Sequence, residues 1–543
     1  MSNRERLGVV TSGAFNLGLT VRLDPDTSTE GLRIGSFVVV EGDRHRYFCL
    51  ISDMSLQAAD ARIAADPPRE ASAFIRSVLA GTTTYATLQV KPQLMLDMSK
   101  EDNERRMEPV RNIPMHFATL RDATEMDFHT VFGEEDATHF DMGTPLTMDI
   151  PICLDLEKWT QRSNGIFGQS GTGKSFLARL ILCGIVSKKS AVNLIFDMHD
   201  EYAFGKESED KIFVKGMRDL FGSQMCVYSL DAASARRQGR SVDAVLQVGL
   251  NQIEAQDVLL LSEELNLNPT ASANIGLLED RFHADWFTRL VEMTPDDIGE
   301  FSQSAGANEA SLEALQRKLK EIARRGYVVP QAQYSQIDEM VELFRTGRHI
   351  ILQFGQFNRP LDYMLVANII TRRVRDAYVK QAERYEQTHD PADRPRPLMI
   401  TIEEAHKFLS PALARQTIFG TIARELRKYS VTLMVVDQRP SGIDAEIMSQ
   451  LGTRVSGKLT EERDIESVLT GVSGRAAVRA MLESLDTKQQ VLLIGHAVPM
   501  PIQIRTRKYD NEFYRAVGLL TAEERKAKLT KDFVDLYGAA AKK

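Results

Sequence analysis

Apolar and polar positions first alternate along this chain. The runs GVVTSGAFNLGLTVRL (8–23), IGSFVVVEGD (34–43), HRYFCLISDM (45–54) and YATLQVKPQLML (85–96) are rich in β-branched and aromatic residues and are separated by turn formers. Such spacing predicts short strands in a small barrel or sandwich, taken as residues 1–110. A charged, extended stretch, KEDNERRMEPVRNIP (100–114), marks the first linker, and 111–148 read as a connecting segment. From about Asp149 the period changes. NGIFG is a wholly apolar strand, FLARLILCGIV an apolar helix, and AVNLIFDMHDEY a second apolar strand that ends in acids. Strand alternating with helix predicts a parallel sheet covered on both faces, its first part over 149–231. Over 232–330 the strands give way to helix-patterned segments such as AVLQVGLNQIEAQDVLLLSEEL and EASLEALQRKLKEIARR, so a helical insertion is expected. HIILQF, PLMITI, VTLMVV and VLLIGH bring the strands back over 331–510. A polar, proline-rich loop is expected at 381–397, and terminal helices at 511–543. No internal repeat or low-complexity tract interrupts this order.

Composition narrows the class. The chain has 543 residues, 43% of them hydrophobic, and a net charge of −8. It can bury a large core, and two to four domains are expected. The acidic balance excludes a protein coated in basic surface, but not one that confines its cations to a pore. Cys49, Cys153, Cys183 and Cys226 lie far apart with no CxxC pair, which argues against a disulfide framework or a metal cluster. MSNRERLG lacks the apolar core of a signal peptide, and the oily stretch Phe176–Val186 is broken by Arg179 and too short to span a bilayer. A soluble, cytoplasmic protein without a membrane anchor is expected.

The chemistry centres on Gly168-Gln169-Ser170-Gly171-Thr172-Gly173-Lys174-Ser175, a GxxxxGK[ST] pattern between a predicted strand and a helix that continues with Phe176. Glycines let main-chain N–H groups converge on phosphate oxygens, and the helix start adds its free N–H groups. Lys174 would neutralise the β- and γ-phosphates of ATP, and Ser175 would ligate Mg²⁺. In LMITIEEAHKF, Glu403 and Glu404 follow an apolar strand, where a parallel sheet opens its ligand crevice. Glu403 is assigned to the metal and Glu404 to the attacking water. Gln438, at the end of VTLMVVDQRP, is the candidate γ-phosphate sensor, and Asp197 in FDMHDEY could orient water or metal. TIARELRKYS carries Arg424, Arg427 and Lys428, one of which could reach a neighbouring subunit's nucleotide. Lys206 and Lys407 are candidate DNA contacts, against the plainer reading of solvated lysines.

Together, GQSGTGKS, DMHDEY, EEAHKFL, IARELRKYSVTLMVVDQRP and LGTRVSGKLTEERDIESVL resemble the HerA family of hexameric ATPases, in the HerA–FtsK branch of RecA-like motors. The resemblance covers nearly the whole chain, although the insertion and tail match only in character. It implies an α/β fold: a RecA-like P-loop NTPase core with a small N-terminal β-barrel like the HAS barrel, and a helical insertion. By position, Lys174 and Ser175 match the Walker A pair, Glu404 the catalytic glutamate, Gln438 the sensor and Asp197 the acid of the family's D-x-H-G-E-Y-like motif. Arg427 matches a trans finger, with Arg424 its rival, and Arg162 matches a basic residue acting within its own subunit. The chain departs from the family pattern at Asp200, Leu426 and Tyr429-Ser430, and has Glu403 where an Asp is usual. The resemblance further implies a homohexamer with DNA in its central pore, a translocase or helicase. Its partner would be a NurA-type nuclease or a sirtuin-like defence effector, docked on the barrel face, in end processing or antiphage defence. An ATP-dependent ring that assembles and regulates an effector without moving DNA is the alternative. DEAH-type helicases fit less well, having two RecA-like lobes, as do conjugation or secretion ATPases, which dock at membranes.

Overall fold

The computed structural model describes residues 6–65, 78–79, 83–101, 104–207, 213–237, 239–332, 336–414 and 417–518. Six strands close the predicted barrel: Arg6–Ala14, Gly18–Leu23, Thr84–Asp97, His45–Ala58, Phe37–Glu41 and Thr119–Asp122, the last returning to pair with the first. Met107–Pro109 adds a short flap on Thr84–Asp97. Strand alternation sorts the apolar residues into two sets. Val38, Val40, Cys49 and Ile51 point into the barrel with Leu19, Val21, Leu88 and Leu120. Phe37, Val39, Phe48 and Leu50 point outward and join the main core. That outward face is covered by the helix Glu125–Phe132, with Phe128 set edge-on to Phe37 at a ring separation of 4.8 Å. The helix starts in a capping box between Thr124 and Asp127, and Asp127 also binds Arg121 of the closing strand at 2.6 Å. Barrel and core are therefore joined by packing and by a buried ion pair.

The core is an eleven-stranded sheet in the order Ala244–Val245, Met225–Ser229, His349–Gln353, Val192–Asp197, Leu398–Glu403, Val431–Asp437, Asn164–Phe167, Thr453–Ser456, Gln490–Gly495, Ile502–Thr506, Gly143–Pro145. The first eight strands are parallel; the last three join antiparallel. The central strands are buried on both faces, as parallel sheets require. Helix Lys174–Lys188 is buried continuously from Leu177 to Val186. Its apolar character all round suits a helix enclosed on every side.

Three local expectations change. Thr119–Asp122, inside the stretch read as connector, closes the barrel. Strands do not vanish after Asp231: Ala244–Val245 extends the main sheet, and Val248–Gly249 pairs with Val328–Val329. Two-residue strands carry no readable period; neighbouring backbone makes them. The helices Pro269–Phe282, Trp286–Glu292, Pro295–Ala305 and Glu309–Ala323 do follow. The polar segment from Gln381 continues a helix, Pro360–Thr388, because its Glu, Arg and Gln are a solvated face of good helix formers. It stops at His389, which turns left-handed just before Asp390-Pro391. Of the expected tail helices, Asn511–Ala516 is present, and 519–543 lie outside the described residues. No helix among the described residues is long and apolar enough to cross a membrane.

Candidate functional site

Strand Asn164–Phe167 delivers the chain to a cleft of about 400 Å³ at the carboxyl ends of the parallel strands. Gly168, Gly171 and Gly173 all have positive φ, at 153°, 79° and 84°. A side chain is disfavoured at each, and at Gly168 a Cβ would also meet the Thr172 hydroxyl at 2.6 Å. The turn holds itself open: Thr172 Oγ1 donates to the Gln169 carbonyl at 2.7 Å and Lys174 Nζ to the same oxygen at 2.8 Å. The Gln169 side chain reaches Thr460, tying the turn to the segment after strand Thr453–Ser456. Ser170, Gly171, Gly173, Lys174, Ser175 and Phe176 line the cleft, as the motif predicts. Burial pulls the Lys174 ammonium below its ordinary pKa, while Glu404, Asp437, Glu403 and Glu201 push it back up.

Glu403, Glu404 and Gln438 complete the opposite wall. Glu403 is 5% exposed, and its Oε1 accepts from Tyr202 at 2.8 Å. Its Oε2 is buried without a partner. Burial, then the charges of Asp197 and Glu201, push this carboxyl up to about 8. An orphaned carboxylate oxygen beside Ser175 is the kind of group a divalent cation would satisfy, so the residues fit Mg²⁺. Glu404 has a positive φ of 50°, a left-handed turn at the strand's end that costs a non-glycine residue about 1–2 kcal/mol. That turn sends Glu403 and Glu404 into the cleft in succession.

Four expected site residues stand elsewhere. Asp197 is fully buried behind the cleft, its oxygens accepting the main-chain N–H groups of Glu201 at 2.7 Å, Tyr202 at 3.1 Å and Ala203 at 3.4 Å. It shapes the loop after its strand and does not line the cleft; burial lifts its carboxyl to about 6. Arg162 precedes strand Asn164–Phe167 and packs its stem at Gly452, at the amino edge of the sheet. The cradle lies at the carboxyl edge, so strand direction sets Arg162 away from its own subunit's cradle. Arg424 spends one guanidinium nitrogen on the Ala414 carbonyl at 3.1 Å and does not line the cleft. Arg427 lies on the turn Leu426–Tyr429 before strand Val431–Asp437, also at the amino edge, and its side chain is outside the described residues.

Lys206, expected on DNA, lines the nucleotide cleft instead and pairs with Glu201 at 3.3 Å. Lys407 is on the short helix His406–Leu409 outside the cleft lining. Glu201 and Arg179 are among the cleft groups that were not assigned from sequence. Glu201, the acid of DMHDEY, meets the Ser175 hydroxyl and Lys206; burial would raise its carboxyl, but those two contacts and Arg179 hold it low. Arg179 is 4% exposed, bonds the Glu201 carbonyl and lies over the Tyr509 ring at 5.6 Å. A lone cation interrupting an apolar helix, one turn past Ser175, was its visible signal.

Residues 140–374 match the central domain of helicase HerA. The DNA double-strand break repair helicases HerA of Sulfurisphaera tokodaii and Sulfolobus acidocaldarius are each 23% identical to the chain. The first match covers 92% of this chain and 93% of that protein, the second 81% and 82%. Among solved structures, VirB4 of Thermoanaerobacter pseudethanolicus aligns at 14% identity and TM-score 0.45, over 70% of this chain and all of that one. The conjugative coupling protein TrwB aligns at 13% and 0.47, over 71% and 92%.

Proposed function

Starting from a chain that carries a HerA-type central domain, we propose that it is an ATP-hydrolysing homohexameric DNA translocase or helicase of the cytoplasm, working beside a nuclease or NAD-hydrolysing effector in end processing or antiphage defence. The observation that carries this reading is the single cleft in which a glycine phosphate cradle faces Glu403, Glu404 and Gln438. Amides of the cradle and Lys174 would grip the triphosphate. Mg²⁺ held by Ser175 and Glu403 would offset charge on the β- and γ-phosphates. Glu404 would take a proton from the water that attacks the γ-phosphorus as the bond to the β-phosphate oxygen breaks. Gln438 would sense the γ-phosphate.

Arg162 and Arg427 sit before adjacent parallel strands, on the edge facing away from their own cradle. If that edge meets the next subunit in a head-to-tail ring, an arginine there would act across the interface, and this is the role proposed for Arg162 and Arg427. The barrel supports a partner: Phe15 and Leu17 crown its first hairpin, and Met115 and Phe117 lie beside it, Leu17 85% and Phe117 73% exposed.

The test is phosphate release by the purified ring with and without DNA. DNA should stimulate it, and Lys174→Ala should abolish both basal and stimulated rates. Turnover indifferent to DNA but raised by the effector would favour the regulatory ring over the motor.

A further inference from the structure

The motif EEAHKF holds a third polar group that the reaction above does not use. His406 stands two residues after Glu404, at the start of helix His406–Leu409. Its ring is fixed from the adjacent strand: Nδ1 lies 2.9 Å from Asp437 Oδ2 and 3.1 Å from Oδ1. The backbone N–H of His406 donates to the same Oδ2 at 2.7 Å. Asp437 is 1% exposed and also accepts the N–H of Arg439 at 2.7 Å. An ionised carboxylate only accepts, so Nδ1 carries a hydrogen and Nε2 is left to face outward. Nε2 faces Glu404, at 3.8 Å from its Oε2.

We infer that His406 is a positioning residue for Glu404 and couples it to the γ-phosphate sensor. The inference rests on the reading of Glu404 as the group that activates water. The coupling is built from connectivity. Gln438 lies between Asp437 and Arg439, the two residues that the Asp437 carboxylate clamps together. Gln438 is the next residue after Asp437, and Asp437 carries the ring of His406, so a shift of Gln438 with the γ-phosphate would have a direct path to the ring. With its proton, His406 attracts the Glu404 carboxylate across 3.8 Å and biases where it sits, while Asp437 holds the ring. Without it, a lone pair faces a carboxylate and the attraction is lost. Asp437 and Glu404 favour the protonated ring, burial and Lys407 oppose it, and the result is a pKa above the ordinary 6.5. A left-handed backbone at Glu404 does not hold the side chain by itself; the ring supplies the second constraint.

The experiment compares His406→Gln and Glu404→Gln in the full-length ring, reading kcat and KM for ATP from pH 6 to 9. His406→Gln should lower kcat roughly 10- to 100-fold, the loss expected when a reacting group is displaced by about 1 Å. KM for ATP should change less than about threefold, since the cradle is untouched. Wild-type kcat should fall on an alkaline limb above pH 6.5 that the variant lacks. A His406→Gln ring with wild-type kcat and the same alkaline limb overturns the inference. So does a parallel rise in KM, which marks general damage to the cleft. If Glu404→Gln itself keeps turnover, the reading of Glu404 fails; if it stops turnover while His406→Gln runs normally, only the coupling fails. Asp437→Asn, which leaves the ring but removes its tether, should repeat the loss of kcat and covers the case in which His406→Gln does not assemble.

Discussion

Arg162 offers the sharpest test of how two subunits would share a site. The sequence assigns it to its own nucleotide, whereas it stands at the end of strand Asn164–Phe167 opposite the cradle. The four residues Asn164–Phe167 alone separate it from the cradle by roughly 13 Å of extended chain. Its stem is also pinned at Gly452, on the amino edge of the next strand. Its Nε is buried without a hydrogen-bond partner among the described residues. If its partner is the neighbour's triphosphate, Arg162→Ala should slow cleavage by about 10³-fold or more, the worth of an arginine finger. The decisive measurement mixes two inactive proteins, Lys174→Ala and Arg162→Ala, reassembled at equal amounts. A site formed by an Arg162→Ala cradle and a Lys174→Ala neighbour is intact. Random assembly in a head-to-tail ring makes such sites about one quarter of the total. Single-turnover cleavage of labelled ATP, which does not require the sites to fire in order, should therefore recover to about a quarter of the wild-type amplitude. A mixture as inactive as its components refutes action across the interface, and an Arg162→Ala ring with full activity refutes any role at all.

Two further outcomes follow from the same geometry. Asp127→Asn should destabilise the joint between barrel and core by about 3 kcal/mol, because it strips the buried Arg121 guanidinium of one partner and spoils a cap while Glu41 remains; hydrogen exchange of the Val38–Val40 amides should speed up accordingly. Burial works against the Asp127 charge, but Arg121 and Thr124 outweigh it and set its folded pKa below 3.8; the stabilisation is thus present above pH 3.8, fades as pH falls through the folded value, and is already missing from the variant. Lys206→Ala should raise KM for ATP severalfold and leave DNA affinity, read by fluorescence anisotropy, unchanged; the reverse result would return Lys206 to the DNA.

Local chemistry made the cradle legible, and three-dimensional direction hid the rest. Each function of the segment Gly168–Ser175 is satisfied within eight residues, so its pattern survives in one dimension. Glu403 and Glu404 were legible for a related reason, since a carboxyl end of an apolar parallel strand has one place to be. The long helix Pro360–Thr388 and the strand Ala244–Val245 were misread because solvated faces and borrowed edges leave no period. Arg162 and Lys206 failed differently. Lys206 was expected on DNA and Arg162, by resemblance, on its own nucleotide, and neither expectation took account of which end of a strand the residue adjoins. A strand has two ends. Lys206 follows strand Val192–Asp197 and folds back over the cradle, whereas Arg162 precedes strand Asn164–Phe167 and is carried to the far edge. If the subunits pack head to tail, the far edge of one protomer could form the near wall of the next. Residues that look misplaced within one chain are therefore the ones to examine first for service to a neighbour.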